Sequence, residues 1–286
     1  MNRAPGTAPS RSRPDRCPGV VEPFAADDGG LVRVRIPGGR LPVSRLQALV
    51  AVAEEYGDGR VRLTARANLQ LRAMPMSEGR LADAALAALE STGLLPSRAH
   101  DRVRNVLASP QTGLAGGRSD LRPVVAGLDR LLLADDDLAG LPGRFLFTLD
   151  DGRGDLADRH RDLGLVALAP DRAQLVVGAS FGPVVELDDA PATLVGLARR
   201  FLAVRGTGPD AAWHVSELAD PLVAVVPPET GADVAAEPLP YGRVPGGEHV
   251  AVLEGIDARA AGDWAERTDE VVVTPWHGVL VPEDDA

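Results

Sequence analysis

Between Arg60 and Arg72 the chain alternates at every step. Arg60, Arg62, Thr64, Arg66, Asn68, Gln70 and Arg72 take the even positions, and Val61, Leu63, Ala65, Ala67, Leu69 and Leu71 the odd ones. A period of two sends successive side chains to opposite faces, so this stretch predicts an extended segment with one polar face, bent near Ala65 to Asn68. A shorter alternation precedes it. Val32, Val34 and Ile36 interleave with Arg33 and Arg35, which predicts a half-buried strand over Leu31 to Ile36 with two arginines on its polar side. Pro37-Gly38-Gly39 ends that strand. Ser44 and Gln47 have capping-box spacing, and Leu46, Leu49, Val50 and Ala53 recur at helical spacing up to Tyr56. After the breaker Gly57-Asp58-Gly59 and the long alternation, a second helix is predicted from Glu78 to Ser91, closing at Gly93. The order over residues 29 to 97 is strand, helix, strand, helix.

The end of the chain repeats that order. Val250 to Leu253 stands for the first strand, Ala258 to Arg267 for the helix and Val271 to Trp276 for the second strand, with Thr274 falling on Thr64 and Trp276 on Arg66. No counterpart of the second helix follows Val281. Between the repeats, Phe145 to Leu149 predicts a strand, Leu163 to Val177 a hairpin around Pro170-Asp171, and Ala192 to Val204 an amphipathic helix. Pro227 to Pro240 reads as a linker. Asp135-Asp136-Asp137 and Asp188-Asp189 read as turn or cap residues, because no ligand-spaced histidine accompanies them. The expected division is a disordered, Pro- and Arg-rich leader over 1–23, a first half-repeat over 24–97, a mixed α/β domain over 98–236 and an incomplete second half-repeat over 237–286.

Charge changes the picture of the first half-repeat. All 30 basic residues are arginine, and 18 of them lie at or before Arg122 against 12 acids, whereas the remainder carries 12 against 29. Positive charge therefore gathers on the N-terminal part of a chain whose net charge is −11. An acidic total excludes a nucleic-acid partner, which needs a wide basic surface. No apolar run is long enough to span a membrane and no signal-peptide core opens the chain, so a cytoplasmic protein with no membrane partner is expected. Cys17 is the single cysteine, which leaves no internal disulfide and no four-thiolate site. His100, His160, His214, His249 and His277 are scattered without ligand spacing, so no metal site is assigned.

LVRVRIPGG at 31–39, RVRLTARANLQLR at 60–72, RVRNVLASPQTG at 102–113, LPGRFLFTLDDG at 141–152 and VVVTPWHGVLV at 271–281 together resemble the nitrite and sulfite reductase family. Cys17-Pro18-Gly19 and Thr274-Pro275-Trp276 are most similar to the precorrin-3B synthase group within it. The resemblance implies an α+β fold with two ferredoxin-like half-repeats flanking a siroheme-type α/β domain. It implies siroheme as cofactor, with Arg33, Arg62, Thr64, Arg66, Arg104 and Asn105 contacting its carboxylates or the anion on its iron. Arg104 and Arg144 are the expected catalytic groups, Arg144 over the distal iron face. Leu146 stands where sulfite reductases place a lysine, which argues against sulfite reduction.

The implied reaction is an oxygen-dependent hydroxylation and lactonisation of precorrin-3A. A nitrite or sulfite reductase fragment and a non-catalytic tetrapyrrole-binding relative are the alternatives. The expected partners are a polycarboxylate tetrapyrrole, as substrate or cofactor, and a separate C-terminal piece. That piece would bring the four cysteines of the family's [4Fe-4S] cluster, which these 286 residues do not contain, and the chain alone is expected to be inactive.

Overall fold

The computed structural model describes residues 15–283. They form two compact units, one built from Cys17–Arg104 and residues 238–283, the other from Asn105–Glu237 with Asp15 and Arg16. The chain leaves the first unit once and returns to it.

In the first unit β1 (Phe24–Ala26) and β2 (Gly29–Val34) form a hairpin, and β3 (Arg40–Pro42) leads into α1 (Val43–Tyr56). β4 (Arg62–Leu63) and β5 (Leu69–Met74) follow, so the predicted bend near 65–68 is a reversal between two antiparallel strands. The sheet order is β1-β2-β5-β4. Val61, Leu63, Leu69 and Leu71 are buried, as the alternation requires, whereas Ala65 at the reversal is exposed.

Three local expectations are corrected. The helix α1 is capped by Pro42, with no side-chain cap bond, so Ser44 and Gln47 do not form a capping box. The second helix α2 begins at Asp83 and runs to Ser91. The segment assigned to its start is instead a tight hairpin of β6 (Met76–Ser77) and β7 (Arg80–Leu81), turned by Glu78 at φ 52° and Gly79 at φ 80°, because a left-handed pair selects a hairpin over a helix. Within the stretch read as leader, Cys17 and Val20 are buried. The backbone N–H groups of Val20 and Val21 both donate to the Asp101 carboxylate. Residues 1–14 of that stretch lie outside the described residues.

The second unit holds one five-stranded sheet. Its strands are β8 (Val106–Ala108), β9 (Phe147–Asp150), β10 (Leu163–Ala167), β11 (Arg172–Val177) and β12 (Ser180–Glu186), in the order β12-β11-β10-β9-β8. β8, β9 and β10 are parallel, and the predicted hairpin at Pro170-Asp171 joins β10 to β11 antiparallel. Helices α3 (Arg122–Leu133) and α4 (Ala190–Val204) pack on each other and on this sheet. Phe145, Phe147 and Phe201 are fully buried, with ring centroids 5.4 and 4.8 Å apart around Phe145. They anchor the interior at the expected spacing of aromatic contacts.

The chain then re-enters the first unit through β13 (Gly242–Val244), β14 (Gly247–Ala251), α5 (Ala258–Ala265), β15 (Glu270–Val273) and β16 (Gly278–Pro282). β3 of the first half-repeat is the edge of the second half-repeat's sheet, pairing Leu41 with Val271. The reciprocal contact is the bridge between Val61 and Ile256. Each half thus lends the segment before its helix to the strand after the other half's helix, which is how the two repeats become one body.

Candidate functional site

The β2-β5-β4 ladder sets a row across three strands. Arg33 lies opposite Gln70, and Gln70 opposite Arg62, so the three side chains share one face of the sheet. Arg33 Nη2 donates to Gln70 Oε1 at 3.3 Å. The alternation predicted this row, but it did not separate its arginines by environment.

Most of the arginines on these strands are neutralised locally. Arg62 pairs with Asp58 at 2.7 Å, Arg72 with Asp28 at 3.1 Å and Arg60 with Asp257 at 3.5 Å. Asp58 is held below the usual carboxylate range by the hydrogen bond from Arg62. For these three the arrangement is that of solvated ion pairs on a sheet surface, worth little in stability.

Arg33 and Arg35 differ. The Arg33 guanidinium contacts Gln70 and the Cys17 Sγ, the latter at 3.7 Å. Arg35 is 3% exposed, which corrects its expected place on a solvated face. Its donors reach Cys17 Sγ at 3.4 Å, the Pro18 carbonyl at 3.1 Å and the Arg33 carbonyl at 3.3 Å. Neither residue hydrogen-bonds a carboxylate among the described residues. Arg33 Nε and Arg35 Nε are both buried without an acceptor there. Burial pushes the Arg35 guanidinium down to about 10; Cys17 and Asp101 oppose that shift, while the positive charges of Arg33 and Arg66 add to it. Three guanidinium groups therefore act on one another in the same neighbourhood. Burying a cation without a partner costs several kcal/mol, and an anion brought to this face would offset that cost.

The remaining predicted residues separate. Thr64 opens the β4-β5 reversal, its hydroxyl oxygen accepting from the Asn68 N–H at 3.1 Å, while Arg66 is half-buried within that reversal. Arg104 is buried in the same unit. Asn105 and Arg144 belong to the second unit. The Asn105 amide donates to the Gly143 carbonyl at 3.1 Å, and Arg144 lies over the Trp213 ring, 5.5 Å from its centroid, with Asp15 at 3.7 Å. Leu146 is a core residue. Sequence reasoning missed Arg35 and Cys17 as parts of this site, although Arg35 stands two residues from Arg33 and so leaves the strand on the same side.

The histidines need a correction of another kind. His160 and His214, set aside as scattered, lie with their rings 4.8 Å apart beside Asp162 in the second unit.

No helix among the described residues is long and apolar enough to cross a membrane. Residues 25–89 match the family described as the nitrite/sulfite reductase ferredoxin-like half domain. A precorrin-3B synthase of a Sinorhizobium species is 37% identical over 130 residues, which is 46% of this chain and 24% of that protein. A ferredoxin–nitrite reductase of Synechococcus elongatus is 31% identical over 147 residues, 49% of this chain and 28% of that protein. The chain thus matches only about a quarter of the length of these curated relatives. The solved structure of the Mycobacterium tuberculosis NirA protein superposes with a TM-score of 0.66 over 89% of this chain and 54% of that one, at 18% identity, a likeness of fold. Residues 25–89 thus carry a nitrite/sulfite reductase ferredoxin-like half domain, and the α+β architecture and these partial sequence matches support a likeness to the nitrite/sulfite reductase family.

Proposed function

We propose that the Arg33–Arg35 face holds the carboxylates of a tetrapyrrole, in an oxidoreductase of the precorrin-3B synthase type. The observation that carries this reading is the buried Arg35 guanidinium beside the half-buried Arg33 one: neither hydrogen-bonds a carboxylate among the described residues, and each keeps a buried orphan Nε. Buried donors are almost always satisfied in native proteins, and a guanidinium fork is matched best by a carboxylate or phosphate. A carboxylate-rich tetrapyrrole brings several such groups on one rigid plane.

Siroheme, the family's expected cofactor, fits these donors, and when bound it supplies the redox chemistry of its iron. Arg33 and Arg35 bind its carboxylates, Gln70 orients Arg33 through the 3.3 Å bond, and Arg66 adds positive charge. Thr64 and Arg104 complete the proposed binding set within this unit, with Arg104 as the basic group proposed for the reaction. A precorrin substrate has the same carboxylate chemistry and would use the same face. A [4Fe-4S] cluster does not fit this chain's own residues, because they include one thiol where four are needed; no step is derived through it. The matched ferredoxin–nitrite reductase favours a second reading, in which the same face holds siroheme for nitrite reduction.

The test is a titration of the 286-residue chain with siroheme, followed by the tetrapyrrole absorbance. A saturable change at one equivalent supports the reading. Absorbance that only scales with added pigment rejects it.

A further inference from the structure

Outside the arginine face, the second unit gathers three metal-ligating side chains that no part of the tetrapyrrole reading uses. Asp162 closes the connection into β10, and its carboxylate is fully buried. It is fixed by two backbone donors, Leu146 N–H at 2.9 Å and Val215 N–H at 3.0 Å. His214 precedes a short 3-10 turn at Val215–Glu217, where Glu217 accepts from the Trp213 N–H at 2.7 Å. Both ligand-bearing segments are therefore held before any ion arrives. His160 lies two residues before Asp162 in the same connection and is half exposed.

The donor atoms converge. His214 Nδ1 lies 3.1 Å from Asp162 Oδ1 and 3.2 Å from His160 Nε2, and His160 Nε2 lies 3.9 Å from Asp162 Oδ2. Ligands bound at about 2.0–2.2 Å in a tetrahedral zinc site stand roughly 3.3 Å from one another, so these separations are those of a coordination shell. The imidazole planes meet at 89°, so the two rings are not stacked. Hydrogen bonding accounts for the cluster less well. The single ring nitrogen His214 Nδ1 faces both Asp162 and His160, and the 3.9 Å between His160 and Asp162 is too long for a direct bond. A single divalent cation satisfies all three donors at once.

We propose that His160, Asp162 and His214 form a binding site for a divalent ion of the zinc class. Two imidazole nitrogens and one carboxylate oxygen are a borderline N/O set that suits Zn²⁺ and Co²⁺ better than Mg²⁺ or Ca²⁺. Three protein ligands leave a fourth position for water. The backbone donors on Asp162 act as the outer layer that orients the carboxylate.

The probe is Co²⁺ added to tag-free, chelator-treated protein, read by its visible absorption and by metal content after dialysis, with Zn²⁺ as competitor. One Co²⁺ per chain with a tetrahedral-type spectrum, displaced by Zn²⁺, is expected. His160→Ala should weaken binding at least tenfold. Its ring is half exposed, so the variant is expected to remain folded by circular dichroism, and Asp162→Asn serves as a second variant. Failure to retain metal, or equal retention by wild type and His160→Ala, overturns the site. Siroheme titration of the same His160→Ala protein is expected to be unchanged, so the two proposals stand or fall separately.

Discussion

Thr64 and Thr274 make the same bond in the two half-repeats: each backbone N–H donates to the carbonyl four residues on, Asn68 at 3.0 Å and Gly278 at 2.8 Å. The residue three positions after each threonine is left-handed, Ala67 at φ 54° and His277 at φ 59°. Sequence register placed Thr274 on Thr64 through a repeat with almost no identity. The shared turn shows that the repeat is one of backbone geometry, with different side chains carrying it.

Left-handed backbone at His277, within that turn, and at Gly39, beside its first strand, predicts opposite effects of two substitutions. His277 is exposed, and a non-glycine residue in this region costs roughly 1–2 kcal/mol, more than the roughly 0.5–1 kcal/mol of extra chain entropy glycine loses on folding. His277→Gly should therefore raise stability by about 0.5 kcal/mol in urea denaturation. Gly39, at φ 74°, packs where a Cβ would overlap the Val273 carbonyl oxygen. Gly39→Ala should lower stability by at least ~2 kcal/mol.

The strap carrying Cys17 is held by Asp101, whose carboxylate accepts from two successive backbone N–H groups. Asp101→Ala leaves the buried Val20 N–H and the part-buried Val21 N–H without this acceptor, a loss of roughly 1–3 kcal/mol for the buried donor if nothing replaces it. The strap should loosen and expose the thiol. Alkylation of Cys17 by iodoacetamide is expected to be slow in the wild type and at least tenfold faster in Asp101→Ala. Equal rates would show that Asp101 does not hold the strap.

Asp155 gives the second unit a pH dependence. Its carboxyl is pushed up to about 7 by burial and by the charges of Asp150 and Asp151, against the Ser109 hydrogen bond at 2.7 Å and the Arg153 charge. Because the folded-state value lies above the ordinary one, the folded protein holds a proton that the unfolded chain has released between about pH 4 and 7. Stability therefore falls as pH rises through that window, by up to roughly 1.4 kcal/mol per pH unit, and the slope ends above it. Asp155→Asn keeps an acceptor for Ser109 and removes the titration. The variant should gain on the wild type steadily from pH 5 to pH 7.5 in melting temperature; a constant difference would contradict the assignment.

The half-domain elements were legible because a two-residue period over Arg60–Arg72 and a helical period over Leu46–Ala53 are local signals. Glu78-Gly79 was misread because its flanks are long enough to mimic the start of a helix, while the hairpin depends on a left-handed pair. The arginine face was legible as a row, but not its division into neutralised and buried members. Asp58 lies four residues from Arg62, whereas the contacts of Arg35 with Cys17 and Pro18 are 18 and 17 residues distant. His160 and His214 are 54 residues apart in the chain, so no spacing rule joins them; β10 and the turn at Val215–Glu217 do.

The central claim is that Arg33 and Arg35 bind carboxylates of a tetrapyrrole. The direct measurement compares dissociation constants for an octacarboxylic porphyrin and its fully esterified counterpart, by fluorescence titration of wild type, Arg33→Gln, Arg35→Met and Arg62→Gln. With about 1.5–3 kcal/mol for each charge-assisted bond, Arg33→Gln and Arg35→Met should each weaken binding of the acid roughly ten- to a hundredfold. Arg62→Gln, whose charge is shared with Asp58, should cost less, and the ester should bind poorly to all four proteins. Equal affinity for acid and ester, or acid binding indifferent to both Arg33→Gln and Arg35→Met, would contradict the account.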